Sequence, residues 1–548
     1  MNYYGIDLGT SNCLISKFVS NLDDTFDVKC LTDDNGEDSF PSVVYFENEK
    51  NYKVGETARK HLFTAPDSTV ELIKIRLGKT HKIQVKTPSG RFEKSPQEIS
   101  SYLLSHFNTI HSENIENVVV TVPAFFDQNQ KEATMQAGII ADIKPQSLIE
   151  EPTAAIMYHI FSEYKEKGIN FLNMPRKNVL VFDFGGGTLD LSLIELTKND
   201  DEIIPKVLAI GGDEELGGNN IDFLFTKIIL DYLKRKNPTD NFIDEVNDIF
   251  EEYYYTYVED HILRFPDDTS DDIKNFIFRL KRNLEQIKIK LSSSEEERIV
   301  LEGKYKPISI KRETFEKKIL MDDDINIKER IKDALGVISK EARKQNAPVH
   351  EVLLIGGSSQ IPFVKKTIIE TLKEFKIAEE HIVLSDDFEK AVAKGAAIQS
   401  AIMAGVPIPP FMHNKCSSIV ARDIELEHAG GSKLFIKMGT SYPLEEKERH
   451  TVRIGHSLSE TVTLKLNEIV DEHSKRQICN FEFYLPIYYT DDPIEIAMDI
   501  DEAGLYKIEA IHLNTGESVE FEPNKQYSLS NTQIKDAALS AKFMRDIS

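Results

Sequence analysis

The sequence predicts a mixed α/β region followed by a separate all-β module, on three observations. Two glycine-bearing turns, Gly5-Ile-Asp-Leu-Gly-Thr10 and Phe182-Asp-Phe-Gly-Gly-Gly-Thr188, each sit where one apolar strand hands over to another. Strand–turn–helix units recur as far as Ile402. Beyond Gly405 the texture changes to short alternating runs separated by turns.

The second turn has the clearer flanks. Asn178-Val-Leu-Val-Phe182 is a short buried-strand run, and Leu189-Asp-Leu-Ser-Leu-Ile194 resumes the strand after three glycines. Without a Cβ, the amides of Gly185, Gly186 and Gly187 can approach phosphate oxygens closely. Asp183 at the strand end can reach a hydrated Mg²⁺ or a water, and Thr188 offers a hydroxyl. The first turn repeats the plan with Asp7, Gly9 and Thr10, and Cys13-Leu-Ile15 leads out. One such turn is as readily an ordinary hairpin, but two in one chain can grip a nucleotide from both sides.

Between the turns, Asn117-Val-Val-Val-Thr-Val-Pro-Ala-Phe-Phe126 reads as a strand ended by proline, with Asp127 as N-cap of a helix running to Ile140. Gln146-Ser-Leu-Ile149 is a short strand leading into Glu150-Glu-Pro-Thr-Ala-Ala-Ile156, where Pro152 suits a first helical turn. Glu151 then sits at a strand-to-helix edge, either as a capping carboxylate or as a group that orients water or metal beside a phosphate. The stripe Phe276, Phe278, Leu280, Leu284, Ile287 and Leu291 marks a helix over 273–291, with Glu285 and Lys288 close to each other on it. A further strand, turn and helix run from His350 through Gly356 and Gly357 to Ile369, and the small-residue run from Ala391 to Ile402 predicts a closely packed helix.

Gly405-Val-Pro-Ile-Pro-Pro-Phe411 cannot be helical and is a linker. Alternating runs follow at 434–437, 461–466, 477–484, 493–500 and 505–512, a β-sandwich module, and one short helix remains at 532–547. The expected divisions are 1–405, a proline-rich linker 406–413, the sandwich 414–525 and a short C-terminal helix or tail 526–548.

At 548 residues the chain exceeds one core, so three or more compact units are expected. Met1-Asn-Tyr-Tyr4 runs straight into the first strand, leaving no room for a signal peptide, and no apolar stretch approaches the ~18 residues of a membrane span. Cytoplasmic residence and no membrane partner are the expectations. Cys13, Cys30, Cys416 and Cys479 are scattered without CxxC spacing, so they are reduced thiols rather than a zinc site or disulfide framework. A formal charge of −25 argues against nucleic acid as partner. Acidic clusters such as Asp322-Asp-Asp324 and Ser294-Glu-Glu-Glu-Arg298 are solvated surface.

Asp7-Leu-Gly-Thr10, Val120-Thr-Val-Pro-Ala-Phe-Phe126, Glu151-Pro-Thr-Ala-Ala155, Phe182-Asp-Phe-Gly-Gly-Gly-Thr-Leu-Asp190, Leu216-Gly-Gly218, Leu291-Ser-Ser293 and Ile355-Gly-Gly-Ser358 occur in this order. The chain thereby resembles the seventy-kilodalton heat-shock chaperones, of DnaK type. The resemblance is specific over 1–405 and looser beyond, where Met498-Asp-Ile-Asp-Glu-Ala-Gly-Leu505 is similar to their peptide-binding β-domain. It implies an actin-like ATPase of two lobes closing on Mg-ATP or Mg-ADP, with K⁺ as a further cation, joined to a sandwich that holds unfolded or extended apolar peptide. J-domain co-chaperones and nucleotide-exchange factors are the implied partners. By the same resemblance Asp7 and Asp183 place Mg²⁺ through water, Thr10 and Thr188 contact the phosphates, and Lys74, Glu151 and Asp190 complete the hydrolytic set. Gly9, Ser11, Asn12, Gly185, Gly186 and Gly187 cradle phosphate, while Gly217, Gly218, Glu285, Lys288, Ser292, Gly356, Gly357, Ser358 and Gln360 hold ribose and adenine.

Five departures from that family stand out. Gln360 and Ile289 occupy positions where members carry arginine, a loss of about 0.5–2 kcal/mol of stacking and so of about 2- to 30-fold in nucleotide affinity. Glu389-Lys390 replaces an Asp-Glu pair. The stretch Asn241–Asn275, with Tyr253-Tyr-Tyr255 and Asp267-Asp268, is longer than the family needs; it is either an extended surface helix pair or an altered exchange-factor interface. Val406-Pro-Ile-Pro-Pro-Phe-Met412 stands where the family has an acid-bracketed leucine linker, so coupling between ATP and peptide would run differently. The helical lid that follows the family's β-domain is missing, which predicts fast peptide release. A slow, lidless ATP-dependent chaperone is the first expectation, and a non-hydrolytic chaperone regulator the alternative. A sugar kinase on the same core is disfavoured by Glu151-Pro-Thr-Ala-Ala and the β-module.

Overall fold

The computed structural model describes residues 2–20, 25–33, 36–62, 64–79, 82–110, 115–168, 176–199, 202–260, 265–266, 268–301, 303–323, 326–373, 381–385, 387–411, 418–428, 431–453, 461–470, 474–484, 493–521 and 529–547. Cys416, Asp267, Asp324, Met412 and His413 lie outside them.

Two sheets of one design face each other across the α/β region. In the first, Tyr3–Leu8 pairs antiparallel with Asn12–Ser20 and parallel with Val118–Val122, and Ser147–Glu150 extends the parallel side. In the second, Lys177–Phe184 pairs antiparallel with Leu189–Asn199 and parallel with Glu351–Ile355, with Glu202–Asp213 and Ile382–Leu384 outside them. Val118–Val122 is buried throughout, which explains its unbroken β-branched sequence: a central parallel strand has no solvent face. Helices Glu151–Lys167 and Ala391–Met403 pack between the sheets. The small residues of the latter have a steric cause. A Cβ at Gly395 would overlap the Ala154 backbone, and one at Gly5 would overlap the backbone of Ala393–Ala397.

The predicted helix over 273–291 is present as Asp271–Leu291, and beside it runs Asn241–Asp260. The helix pair is therefore present, and two of its tyrosines, Tyr253 and Tyr254, lie in the core rather than at the surface. Tyr253 and Tyr254 are buried with Phe250, and Tyr253 stacks on Phe265 at 4.3 Å, in one core with Phe223 and Phe278. Aromatic rings at helical spacing fill the second lobe here.

Beyond the helix Ala391–Met403, the proline-rich linker does not stand free. Ile408 and Phe411 are wholly buried in the core between the sheets, and the Ile203 N–H donates to the Pro410 carbonyl at 2.9 Å. Two four-stranded antiparallel sheets then form the sandwich. The first runs Gly431–Ile436, Ile424–His428, Thr461–Ile469, Lys475–Tyr484, and the second Glu448–Arg453, Pro493–Ile500, Tyr506–His512, Ser518–Phe521. Leu426, Leu464, Ile496 and Met498 lie in its shared core.

The sandwich sits on the first lobe, chiefly along helix Gln128–Ile140. Lys131 donates to the Tyr442 hydroxyl at 2.9 Å and pairs with Glu150 at 3.4 Å, and Tyr442 also bonds Glu150. Arg476 pairs with Asp127 at 2.8 Å, while Arg422 contacts Glu214 and, at 3.4 Å, Glu468. The final helix, Asn531–Ile547, lays Ala541 into the first-lobe core, with Ile534 and Ala537 packed against it. The Gln136 carboxamide accepts from the Leu529 N–H at 2.9 Å, just ahead of that helix.

Candidate functional site

The two glycine turns meet at the floor of a cleft of about 500 Å³ between the sheets. Phe184 and Leu189 close the second hairpin around Gly185–Thr188, and Leu8 and Cys13 close the first. Their proximity is measured by what a side chain would strike. A Cβ at Gly187 would lie 2.7 Å from the Thr10 hydroxyl, and one at Gly186 would overlap the Ser11 hydroxyl. Gly356, at φ +77°, brings a third chain segment so near that a Cβ would stand 2.5 Å from Asp183 Oδ1. The floor lacks side chains, and of its three glycine amides the Gly185 N–H is already donated to the Thr188 carbonyl at 3.1 Å, closing the hairpin.

One wall carries the titratable groups. Lys74 lies in the short helical turn Ile73–Arg76, entered through Leu72 in left-handed conformation, and it contacts Glu151 at the first position of its helix. Its ammonium also stands 6.0 Å from the centre of the Phe126 ring. Asp7 accepts from the Thr121 hydroxyl at 3.0 Å, and Asp190 accepts from the Ala124 N–H at 2.9 Å. Burial, with the nearby Glu151 charge, pushes Asp7 to about 6 and Asp190 to about 7, against the opposing pull of Lys74. The same causes push Asp183 well above the usual carboxylate range. Burial draws Lys74 down, but Glu151 and Asp7 outweigh it and leave the ammonium above its ordinary value.

Four carboxylates therefore surround one ammonium, an excess of negative charge that suits a cation accompanying a polyphosphate. Among the described residues, no three His, Cys, Asp or Glu side chains are grouped to hold a metal ion directly. Asn219 adds a donor: its Nδ2 is buried beside Gly186 and has no protein partner. The donor set, the bare floor and this orphaned amide all fit a Mg-polyphosphate.

Because a cation needs these groups deprotonated, uptake of Mg-ADP is expected to release protons at pH 6–7, where Asp7 and Asp190 are partly protonated, and little above pH 8. Calorimetry in buffers of different ionisation enthalpy measures this. In the ligand-free protein these raised carboxyls make folding more favourable toward acid pH, a contribution lost as pH rises through 6 and 7.

Of the residues singled out in the sequence, Asp7, Gly9, Thr10, Ser11, Asn12, Lys74, Glu151, Asp183, Gly185, Gly186, Gly187, Thr188, Gly218, Glu285, Lys288, Ser292, Gly356, Gly357, Ser358 and Gln360 line this cleft. Asp190 stands behind it, in a small pocket shared with Lys74 and Thr188. Gly217 lies beneath the second turn, where a Cβ would overlap the Gly186 carbonyl. Glu285 and Lys288 do not pair with each other: Glu285 takes Arg282 at 2.6 Å and Lys288 takes Asp222 at 2.7 Å. Burial raises Asp222 to about 6, with Lys288 opposing. Asn219, Asp222, Ser39, Phe388 and Val392 also line the cleft and carried no sequence signal, except that Asn219 follows directly on Leu216-Gly-Gly218.

Helix Asp271–Leu291 connects the cleft to its mouth. Its later turns carry Glu285, Lys288 and Ser292, and its earlier turns pair with the opposite lobe, Lys274 to Asp67 at 2.9 Å and Lys281 to Glu71 at 2.8 Å. Both ammonium groups are largely buried, so truncating them is felt. Lys274→Ala combined with Lys281→Ala is expected to speed release of a bound fluorescent ADP about 5- to 30-fold by stopped flow, the equivalent of about 1–2 kcal/mol. An unchanged rate would mean the lobes are held elsewhere.

A family model described as Hsp70 protein matches residues 3–250 and 254–546. The Chaperone protein DnaK of Nitrosopumilus maritimus (strain SCM1) is 29% identical over 549 aligned positions, covering 97% of this chain and 76% of that protein.

Proposed function

Since this chain belongs to the Hsp70 family, with that family's actin-like two-lobed ATPase fold and β-sandwich, we propose that it is a chaperone that hydrolyses ATP slowly and holds extended apolar peptide. The observation that carries the proposal is the Lys74–Glu151 contact set among Asp7, Asp183 and Asp190, facing two bare glycine turns.

Asp7 and Asp183 would hold a Mg²⁺ through its water shell, and that cation would offset the polyphosphate charge, with K⁺ as a further cation. The amides of Gly186 and Gly187 and the hydroxyls of Thr10 and Thr188 hold the phosphates, the Gly185 N–H being given to the Thr188 carbonyl. Glu151, in contact with the Lys74 ammonium, accepts a hydrogen bond from the attacking water, and Lys74 faces the charge that grows on the transferred group. Asp190, held by the Ala124 amide, steadies Thr188 and Lys74 from behind. With positioning and charge as its means, the site turns over slowly.

Peptide is held by the sandwich, and among the described residues the last helix, Asn531–Ile547, packs on the first lobe rather than over the strands. J-domain co-chaperones and nucleotide-exchange factors are its partner classes, and the cytoplasm its compartment. No helix among the described residues is long and apolar enough to cross a membrane. One observation favours a second function, a non-hydrolytic chaperone regulator: the sandwich is fixed to the first lobe by buried polar contacts through Tyr442 and by the buried linker. ATP hydrolysis measured with and without an extended apolar peptide separates the two. Hydrolysis stimulated by peptide supports the chaperone, no hydrolysis favours the regulator, and hydrolysis indifferent to peptide removes the coupling.

A further inference from the structure

Strand Thr461–Ile469 carries Glu468 to the face of the sandwich that meets the first lobe, and its side chain is buried there. Among the described residues its carboxylate has one hydrogen-bond partner, Arg422, and that contact is stretched to 3.4 Å. The titratable groups facing it are Arg422, Arg476 and Tyr506 from the sandwich, with Lys131 from helix Gln128–Ile140 and Asp127 from its cap. Each of these cations is committed to another carboxylate. Arg476 takes Asp127 at 2.8 Å, Lys131 takes Glu150 at 3.4 Å, and Arg422 takes Glu214. Asp127 accepts from the Gln130 N–H at 2.9 Å with one oxygen and from Arg476 with the other, so it is a pure acceptor and a second anion in the same enclosure.

Docked and separated arrangements therefore treat Glu468 differently. When the lobe leaves, Asp127 goes with it, water reaches the carboxylate, and Arg422, released from Glu214 and the Phe125 carbonyl, can turn wholly to Glu468. All three changes favour the ionised acid. In the docked state burial, then the Asp127 charge, pushes Glu468 up to about 7, against Arg422, Arg476 and Lys131. A proton neutralises such a buried carboxyl where no cation is left to do so.

From this geometry we infer that docking of the sandwich on the first lobe takes up a proton at Glu468, so that acidification holds the two parts together and neutral pH favours their separation. The inference stands on this interface and needs neither nucleotide nor peptide. Its sign follows from a carboxyl raised in the docked state. The contribution is complete below the ordinary carboxylate range, falls by about tenfold per pH unit as pH rises toward about 7, and is gone above it. Asp7 and Asp190 titrate in the same range but lie in the cleft, so a substitution at Glu468 tells the two apart.

Phe411, wholly buried while the linker is held, reports even rare opening. The test follows chymotrypsin cleavage of the full chain after Phe411, divided at each pH by cleavage of a free peptide with the linker sequence. At protease concentrations where the rate is proportional to protease, this ratio tracks the open population. For the wild type it is expected to rise about 20-fold from about pH 5.5 to about pH 7.5 and then to level off. Glu468→Gln keeps the volume and stands in for the protonated acid, so its ratio is expected to change by less than about threefold over the same range. A wild-type ratio that changes by less than about threefold overturns the inference, whether or not the variant folds. A folded Glu468→Gln chain that keeps the wild-type rise assigns the proton to another group and overturns it too.

Discussion

Single-turnover ATP hydrolysis by Lys74→Ala is expected to fall about 10²- to 10³-fold, with Mg-ADP affinity changed far less. The asymmetry follows from where the charge sits. Lys74 is the cation among Asp7, Glu151, Asp183 and Asp190, so under the proposed function it would serve charge that grows during phosphoryl transfer more than charge already present in bound ADP. Its loss also leaves buried carboxylates uncompensated, which lowers stability. Glu151→Gln separates the effects, because it keeps the volume and the hydrogen bond to Lys74 while removing the carboxylate. A comparable loss of hydrolysis in Glu151→Gln, with unchanged thermal unfolding, places the defect in chemistry. Full activity in both variants would exclude this cluster as the hydrolytic centre.

The second large effect is expected at the contact between sandwich and first lobe. Lys131→Met leaves Glu150 buried without its cation, a cost of about 3–5 kcal/mol to the docked arrangement. Release of the sandwich is the expected way out, because it rehydrates the carboxylate. The radius of gyration from solution scattering should rise, and the segment around Val406–Phe411 should become sensitive to protease. Tyr442→Phe keeps the ring and removes only the hydroxyl, so a smaller effect of about 1–3 kcal/mol is expected. Scattering identical to wild type for both variants would show that the docking energy lies elsewhere, for instance in Arg422 and Arg476.

The glycine-turn floor of the cleft was legible in the sequence because its geometry is local. Glycine turns between strands need no distant partner to be recognised, and Asp127 and Pro152 mark their helices by capping alone. The long-range choices were not legible. Whether Lys288 faces Glu285 or Asp222 depends on how helix Gly218–Lys236 crosses helix Asp271–Leu291, which spacing within one helix cannot reveal. Tyr253 and Tyr254 lie in a stretch that read as an extended surface helix pair because of its length, yet their rings are buried in the second lobe. Ile408 and Phe411 were hidden among prolines, whose lack of helical period says nothing about burial. The docking of the final helix is likewise a matter of tertiary packing, written in a Gln136 contact almost four hundred residues away in sequence.

Helix Ala391–Met403 lies against Gly5, and its Gly395 against Ala154, so the first lobe is completed by residues made long after its own strands. During synthesis the wholly buried strand Val118–Val122 and its neighbours must wait for more than two hundred further residues to leave the ribosome. A protein read as a guardian of exposed apolar segments is thus, while it is being made, a long-lived example of one, and slow late closure of this kind favours aggregation.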